Sequence, residues 1–544
     1  MTNTIRELSD LQTESLAIGI DDPAFPKTMP SLIDRAVALY GDQIAIDFIE
    51  DGKSLSFRGL DSTVRKLSHS LYNIGVGHGS HVAVILNNQI EFPLTWLALA
   101  RLGAVMVPVI TSSTAREIEF LIEDADVKYV VSDSQFWNSL NQPFAGNLSV
   151  LQENIVLVGK NSHAGTHEFA KFLEDGDPTF EPKLAPKAQD PLNIQYTSGT
   201  TGLPKGALLT QEYWVLLGHG AAQTFPDIKV ILSDHPFFYM DPQWMLVMGL
   251  VLGARVDFTS GMSVRKYMTW LHERRTEFAW FPRPLLKTPE QEGDRKTAIK
   301  AFLGFQQTAE QVDEVERRFG VRPCESYGMT EIGMGLHVPQ GWKDPHIRGS
   351  CGIPGPGREF RIVDASGKEV VAGETGELQV RGEGMFLGYY NRPETNAQVF
   401  VDGWFKTGDL FMQDQYGYYH IVGRVKDMVK RSGENISALE VENVLMELPQ
   451  VDKAAVIGVP DPARTEEVKA YILLRDVSAA GSADPEFILA HCRQRLAKFK
   501  VPRYIEFVDQ LPFTPSDKVA KHVLAKAKED LRAGSYDAVE KIWR

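Results

Sequence analysis

The chain is 544 residues long, 43% apolar and 24% charged, with a formal net charge of −14. That length exceeds what a single hydrophobic core serves, so two or more domains are expected. The acidic balance argues against a general nucleic-acid or anionic-membrane surface, since both attract basic patches, and leaves room for an anionic ligand in a locally basic cleft.

The N-terminal run "MTNTIRELSDLQTESLAIGIDD" has acidic residues and no apolar core segment, so a secretory signal is not expected. Helical and strand patterns then alternate. "MPSLIDRAVALY" has helical spacing and "IAIDF" reads as a strand. "LDSTVRKLSHSLYNIG" is amphipathic and stops at glycine, and "HVAVILNN" is a second strand. Residues 92–110 carry Arg101 and Gly103 inside an apolar stretch. That pattern predicts a buried helix, a glycine break and a strand, with no membrane span. "TAREIEFLIEDAD" continues as helix and "VKYVVSD" as strand. The alternation implies an α/β fold, a mainly parallel sheet with helices on both faces, whose ligands bind beyond the carboxyl ends of its strands.

Residues 193–210, "NIQYTSGTTGLPKGALLT", follow an expected strand and precede an expected helix in "LLTQEYWVLLGHG". Small residues there can turn backbone N–H groups and the hydroxyls of Thr197, Ser198, Thr200 and Thr201 towards an anion, while Gly199 and Gly202 let the chain wrap and Lys205 adds positive charge. Walker A spacing is absent, because Pro204 and Ala207 stand where the motif needs its second glycine. "MLVMGLVLGARVDF" repeats the helix–glycine–strand form. After Gly349, short alternating strands joined by Ser-Gly, Ala-Gly and Thr-Gly turns predict a small antiparallel sheet or barrel. A mixed α/β pattern returns after "YHIVGRVKDMVK" without a long Gly/Pro linker, so a short hinge is expected near Lys426 and Asp427. The expected domains are residues 1–426, with a β-rich part at about 350–425, and residues 427–544. Cys324, Cys351 and Cys492 show neither CxxC nor metal-ligand spacing, which suits a reducing cytoplasm.

The run "YTSGTTGLPKG" resembles the phosphate loop of the adenylate-forming superfamily, which includes acyl-CoA synthetases, peptide-synthetase adenylation domains and luciferases. Four further segments extend the resemblance in order: "ESYGMTEIG", "DGWFKTGDL", "GRVKDMVKRSGENISALEVE" and "LPFTPSDKVAKHVL". The chain looks most like a stand-alone AMP-forming acyl-CoA ligase. The resemblance implies a large α/β domain with a β-barrel-like subdomain and a small mobile α+β domain. It implies ATP, Mg2+ and coenzyme A as co-substrates and cofactor, a carboxylic acid as substrate, and members that often form homodimers.

Residue by residue, the resemblance places Thr330 on the α-phosphate, Glu331 on Mg2+, Tyr327 beside the adenine with Gly328 and Met329, and Asp409 and Arg424 at the ribose. Asp427 falls at the hinge and Gly433 in the thiol tunnel. Lys518 is the candidate to bridge the acid's carboxylate and the α-phosphate. Asp517 replaces the family's glycine before it, and Lys521 is the substitute should the register differ by a turn. For the acyl pocket the candidates are Tyr239, Met240, Trp244, Arg283, Gly304 and Met334, which lean towards an aromatic or polar acid over a long fatty acid. No carrier domain is expected after Lys518, so free coenzyme A is the expected thiol. A stand-alone enzyme loading a separate carrier, and a non-catalytic nucleotide-binding relative, are the alternatives.

Overall fold

A computed structural model describes residues 24–137, 150–159, 163–197, 204–304, 307, 309–432, 434–476, 484–514 and 518–544. The helix Met29–Tyr40 starts on a Thr28 cap, and the strand Ile44–Phe48 follows it. The helix Glu91–Leu102 is buried from Phe92 onward and stops where Gly103 takes a φ of +66°, a left-handed conformation that glycine reaches without strain. The strand Val105–Pro108 comes next. The same helix–glycine–strand form recurs in Met240–Leu252, Gly253 and Arg255–Phe258. A helix apolar on every side belongs inside a core. No helix among the described residues is long and apolar enough to cross a membrane.

Two sheets account for that burial. In one, Ile44–Phe48, Arg255–Phe258, Val230–Ser233, Phe278–Trp280, Ala301–Gly304 and Cys324–Met329 pair in parallel. In the other, the parallel strands include His81–Ile85, Val105–Pro108, Tyr129–Asp133, Ile155–Val158 and Pro191–Thr197. Side chains alternate across each sheet. Val82, Val84, Ile231 and Phe278 join one core together with the helices Glu91–Leu102, Gln211–Thr224 and Met240–Leu252. Ala83 and Ile85 face the opposite way, onto the helix Ala115–Asp124. Leu232, Ala279 and Phe302 likewise turn to the helices Val264–Arg274 and Ala309–Phe319. The result is a layered α/β/α/β/α body with the helices expected on both faces of each sheet.

One local expectation is corrected. Residues 205–210 form a strand, Lys205–Thr210, antiparallel to Pro191–Thr197, and the helix begins only at Gln211. Thr210 is the cause, since its side chain accepts the backbone N–H of Tyr213 and caps the helix there. The described ends of the phosphate-loop segment, Thr197 and Lys205, therefore pair across two antiparallel strands.

The β-rich segment is an antiparallel sheet of Glu359–Val363, Thr375–Arg381, Trp404–Gln413 and Tyr419–Arg424, with Phe400–Val401 at an edge. Its register shifts at Glu377–Gln379 and Leu410–Phe411, which bends the strands without closing a barrel among the described residues. A separate core, drawing on residues from Val429 to Tyr536, fills the last part of the chain. There a sheet built on Val451–Asp461, Thr465–Leu474 and Tyr504–Phe507 packs against the helices Ala438–Met446 and Pro485–Arg495. The turn Val425–Asp427 joins the two parts.

Candidate active site

Asp409 and Arg424 are cross-strand partners in the hairpin of Trp404–Gln413 and Tyr419–Arg424, so the register alone sets them face to face. Asp409 is 2% exposed, and Arg424 Nε lies 2.8 Å from its Oδ1. The Tyr327 hydroxyl donates to Asp409 Oδ2 at 2.7 Å. Tyr327 stands near the end of the strand Cys324–Met329, at the carboxyl edge of the parallel sheet, with Phe411 edge-on to its ring. Burial first, and Asp409 next, push its phenol well above the usual range, which keeps the donor proton in place. A charge-assisted pair at this depth is a rigid anion ready to accept hydroxyl donors.

Glu331 follows in the turn after that strand. It is 4% exposed, and burial raises its carboxyl pKa, partly offset by a 2.6 Å hydrogen bond from the Tyr389 hydroxyl to Oε1. A buried carboxylate of this kind gains from a cation. Mg2+ takes oxygen ligands and few protein carboxylates, filling its shell with phosphate and water, so a lone Glu331 fits it. Among the described residues no group of three or more His, Cys, Asp or Glu forms an all-protein cage. Thr330 is half-buried, and its carbonyl accepts the Tyr213 hydroxyl at 2.9 Å. Gly328 is required by close approach, since a Cβ there would stand 2.5 Å from the Gly333 carbonyl.

Arg358 ties this turn to the chain that supplies Tyr389. Its buried guanidinium donates to the carbonyls of Ile332, Gly357, Glu383 and Gly384. Burial pushes its pKa down to about 10, which still leaves it charged at neutral pH.

Thr197 and Lys205 are cross-strand partners where the two strands meet the phosphate-loop segment. Lys205 Nζ sits 5.3 Å from the centre of the Tyr389 ring. Ser198, Gly199, Thr200, Thr201 and Gly202 lie outside the described residues, as do Gly433 and Asp517.

The structure separates the two candidate lysines. Lys521 Nζ is 2.7 Å from Glu442 and 3.6 Å from Asp427, inside its own part of the chain. The ammonium of Lys518 instead feels the charges of Arg424, Asp409 and Glu331. Much of its surface is exposed, yet the atoms around its head lower its pKa by desolvation first and by Arg424 next. Asp427 ends the turn Val425–Asp427, half-buried. Beside it, Ser437 Oγ donates to the Val422 carbonyl at 2.5 Å, and a Cβ on Gly423 would meet that same oxygen.

Of the acyl-pocket candidates, Tyr239, Met240 and Met334 are half-buried on the main core, close to Tyr213 and Thr224. Gly304 ends its strand beneath Gln307 Oε1 and Glu325 Oε2, each 2.7 Å from where a Cβ would stand, so a larger residue would have to displace one of those side-chain ends. Trp244 packs edge-on to Phe278 in the core and donates Nε1 to Asp241. Arg283 is exposed in the short turn Arg283–Lys287. Tyr389, Tyr213 and Arg358 are the site residues that motif reading passes over. The only sequence signal for Tyr389 is the aromatic pair after glycine in "LGYYNRPE".

The family profile described as "AMP-binding enzyme" matches residues 33–390, and "AMP-binding enzyme C-terminal domain" matches residues 440–518. Crotonobetaine/carnitine–CoA ligase of Salmonella agona (strain SL483) is 30% identical over 505 residues, covering 90% of this chain and 97% of that protein. ATP-bound MatB from Rhodopseudomonas palustris superposes with a TM-score of 0.81 at 27% identity, over 92% of this chain and 99% of that one. The apo form of the same MatB covers the same shares of both chains at the same identity but superposes less closely, at 0.71.

Proposed function

The chain belongs to the AMP-binding enzyme family, and on that premise we propose how its residues divide the work. The protein is an AMP-forming carboxylic acid–CoA ligase, which uses ATP and Mg2+ to adenylate an acid and then forms a thioester with coenzyme A. A carboxylate is a poor electrophile because its charge is delocalised and repels nucleophiles. One of its oxygens attacks the α-phosphorus of ATP and pyrophosphate leaves. The mixed anhydride carries AMP as leaving group, so the thiolate of coenzyme A can attack the acyl carbon and expel AMP. The protein's task is to position two anions and to stabilise the charge that builds at phosphorus.

In this reading Asp409, steadied by Arg424, accepts the ribose hydroxyls, and Tyr327 borders the adenine with Gly328 and Met329. Thr330 holds the α-phosphate, and the phosphate-loop segment with Lys205 holds the β- and γ-phosphates. Glu331 would hold Mg2+, which supplies charge neutralisation on the triphosphate. Lys518 bridges the attacking carboxylate and the α-phosphate. The observation that carries the reading is the buried Asp409 held between Arg424 Nε and the Tyr327 hydroxyl at the end of the strand Cys324–Met329.

The boundary we propose is Asp427, with residues 427–544 turning as a unit to withdraw Lys518 and bring Gly433 to the thiol. The closer superposition on ATP-bound than on apo MatB supports an adenylating arrangement here. The acid we propose is aromatic or polar, because half-buried Tyr239 offers an aromatic face on the main core and polar Gln307 and Glu325 stand over Gly304. A cytoplasmic setting and a homodimer belong to the same proposal.

A panel of short aromatic, dicarboxylic and long-chain acids, read by mass detection of thioesters, tests the substrate class. Thioesters of aromatic or polar acids are expected to dominate, and preferential turnover of long-chain acids overturns the assignment. AMP release that depends on a carrier protein and not on coenzyme A would overturn the acceptor.

A further inference from the structure

Tyr389 lies outside every motif that identifies the site, yet it touches both charged ends of it. It is 9% exposed. Its hydroxyl donates to Glu331 Oε1 at 2.6 Å, and its ring lies under the Lys205 ammonium at 5.3 Å. An aromatic face attracts a cation, the more so as the pair is desolvated.

The backbone around Tyr389 is tied to the same two places. Tyr390 N–H donates to the Gly206 carbonyl at 2.8 Å, and Leu208 N–H to the Gly388 carbonyl at 2.9 Å, which binds the segment to the strand Lys205–Thr210. Phe386 N–H donates to the Glu331 carbonyl at 3.0 Å. The Asn396 side chain closes on Tyr389 from the other side, accepting its N–H at 2.7 Å and donating to its carbonyl at 2.9 Å. A side chain held at this many points has one orientation.

A neutral hydroxyl suits the position. A lysine in its place would neutralise Glu331 and compete with a metal, whereas a phenol fixes one oxygen and leaves the carboxylate its charge. Outer partners of this kind orient a ligating group and commonly control metal affinity by about 10- to 100-fold.

We propose that Tyr389 is a positioning residue that aims Glu331 at the metal–triphosphate centre with its hydroxyl and seats Lys205 with its ring. The proposal rests on the reading of Glu331 as the Mg2+ ligand. The test compares Tyr389→Phe and Glu331→Gln with the unsubstituted full chain. Each is loaded with α,β-methylene-ATP, which cannot transfer its adenylate, and Mn2+ binding is read by electron paramagnetic resonance.

Tyr389→Phe keeps the ring and its packing, so binding of the analogue without metal should be unchanged. Its Mn2+ affinity in the ternary complex should fall by about ten-fold or more. Mn2+ affinity unchanged in Tyr389→Phe but lowered in Glu331→Gln overturns the positioning role alone. Affinity unchanged in both overturns the Glu331 reading along with it. Equal weakening of metal and metal-free analogue binding in Tyr389→Phe also overturns the proposal, since it marks a general structural role.

Discussion

Lys518→Ala should lower ATP–pyrophosphate exchange by about 100- to 1000-fold, the scale of losing one preorganised donor from a charge-developing centre. The same variant should still convert supplied acyl-AMP and coenzyme A to thioester at close to the unsubstituted rate. The asymmetry follows from position. Lys518 comes from the separately cored C-terminal part, yet its ammonium senses Arg424, Asp409 and Glu331. It has no further use once the anhydride has formed and that part has turned away. Lys521→Ala gives the contrast: its partners are Glu442 and Asp427, so its loss should reduce stability and leave exchange within a few-fold. Equal loss of both half-reactions in Lys518→Ala would contradict the assignment.

Asp427→Pro should show the reverse pattern, with exchange retained and thioester formation reduced by about 100-fold or more, as expected when a reacting group cannot reach its place. Asp427 lies in the turn Val425–Asp427, whose helical φ is close to the value a proline ring imposes. A proline ring fixes that dihedral, so the substitution resists a rotation that must change it. The two half-reactions, measured separately by labelled pyrophosphate exchange and by thioester release from acyl-AMP, decide it. Unchanged overall turnover would count against a hinge at this residue.

The large α/β body was legible because its elements are long and periodic. Residues 92–110 and 245–258 each carry a helix, a glycine and a strand in plain order, and both fold that way. Residues 205–210 were misread because Thr210 caps a helix that periodicity alone extends backward through Leu208 and Leu209. Asp409 was legible from its motif, but its contact with Arg424 depends on hairpin register, which the turn sets.

The retained Thr-Pro-Ser-x-Lys spacing favours Lys518 over Lys521, and the acids nearby support the same choice, since Lys521 pairs with Glu442 while Lys518 feels Asp409 and Glu331. Tyr389 was barely legible, marked only by the aromatic pair after glycine in "LGYYNRPE". Its partner Glu331 is 58 residues away in sequence, and their meeting depends on an irregular segment whose backbone bonds tie it to the strand Lys205–Thr210 and to Glu331. The acyl pocket is hardest to read because side chains from several elements line it, with no local pattern to mark them.

The central claim is that an acyl-adenylate links the two half-reactions. A single turnover with an acid labelled in its carboxylate by heavy oxygen, in the presence of ATP, Mg2+ and coenzyme A, tests it most directly. The account predicts that AMP leaves carrying one labelled oxygen, with none in pyrophosphate. Label in inorganic phosphate, accompanied by ADP, would contradict it.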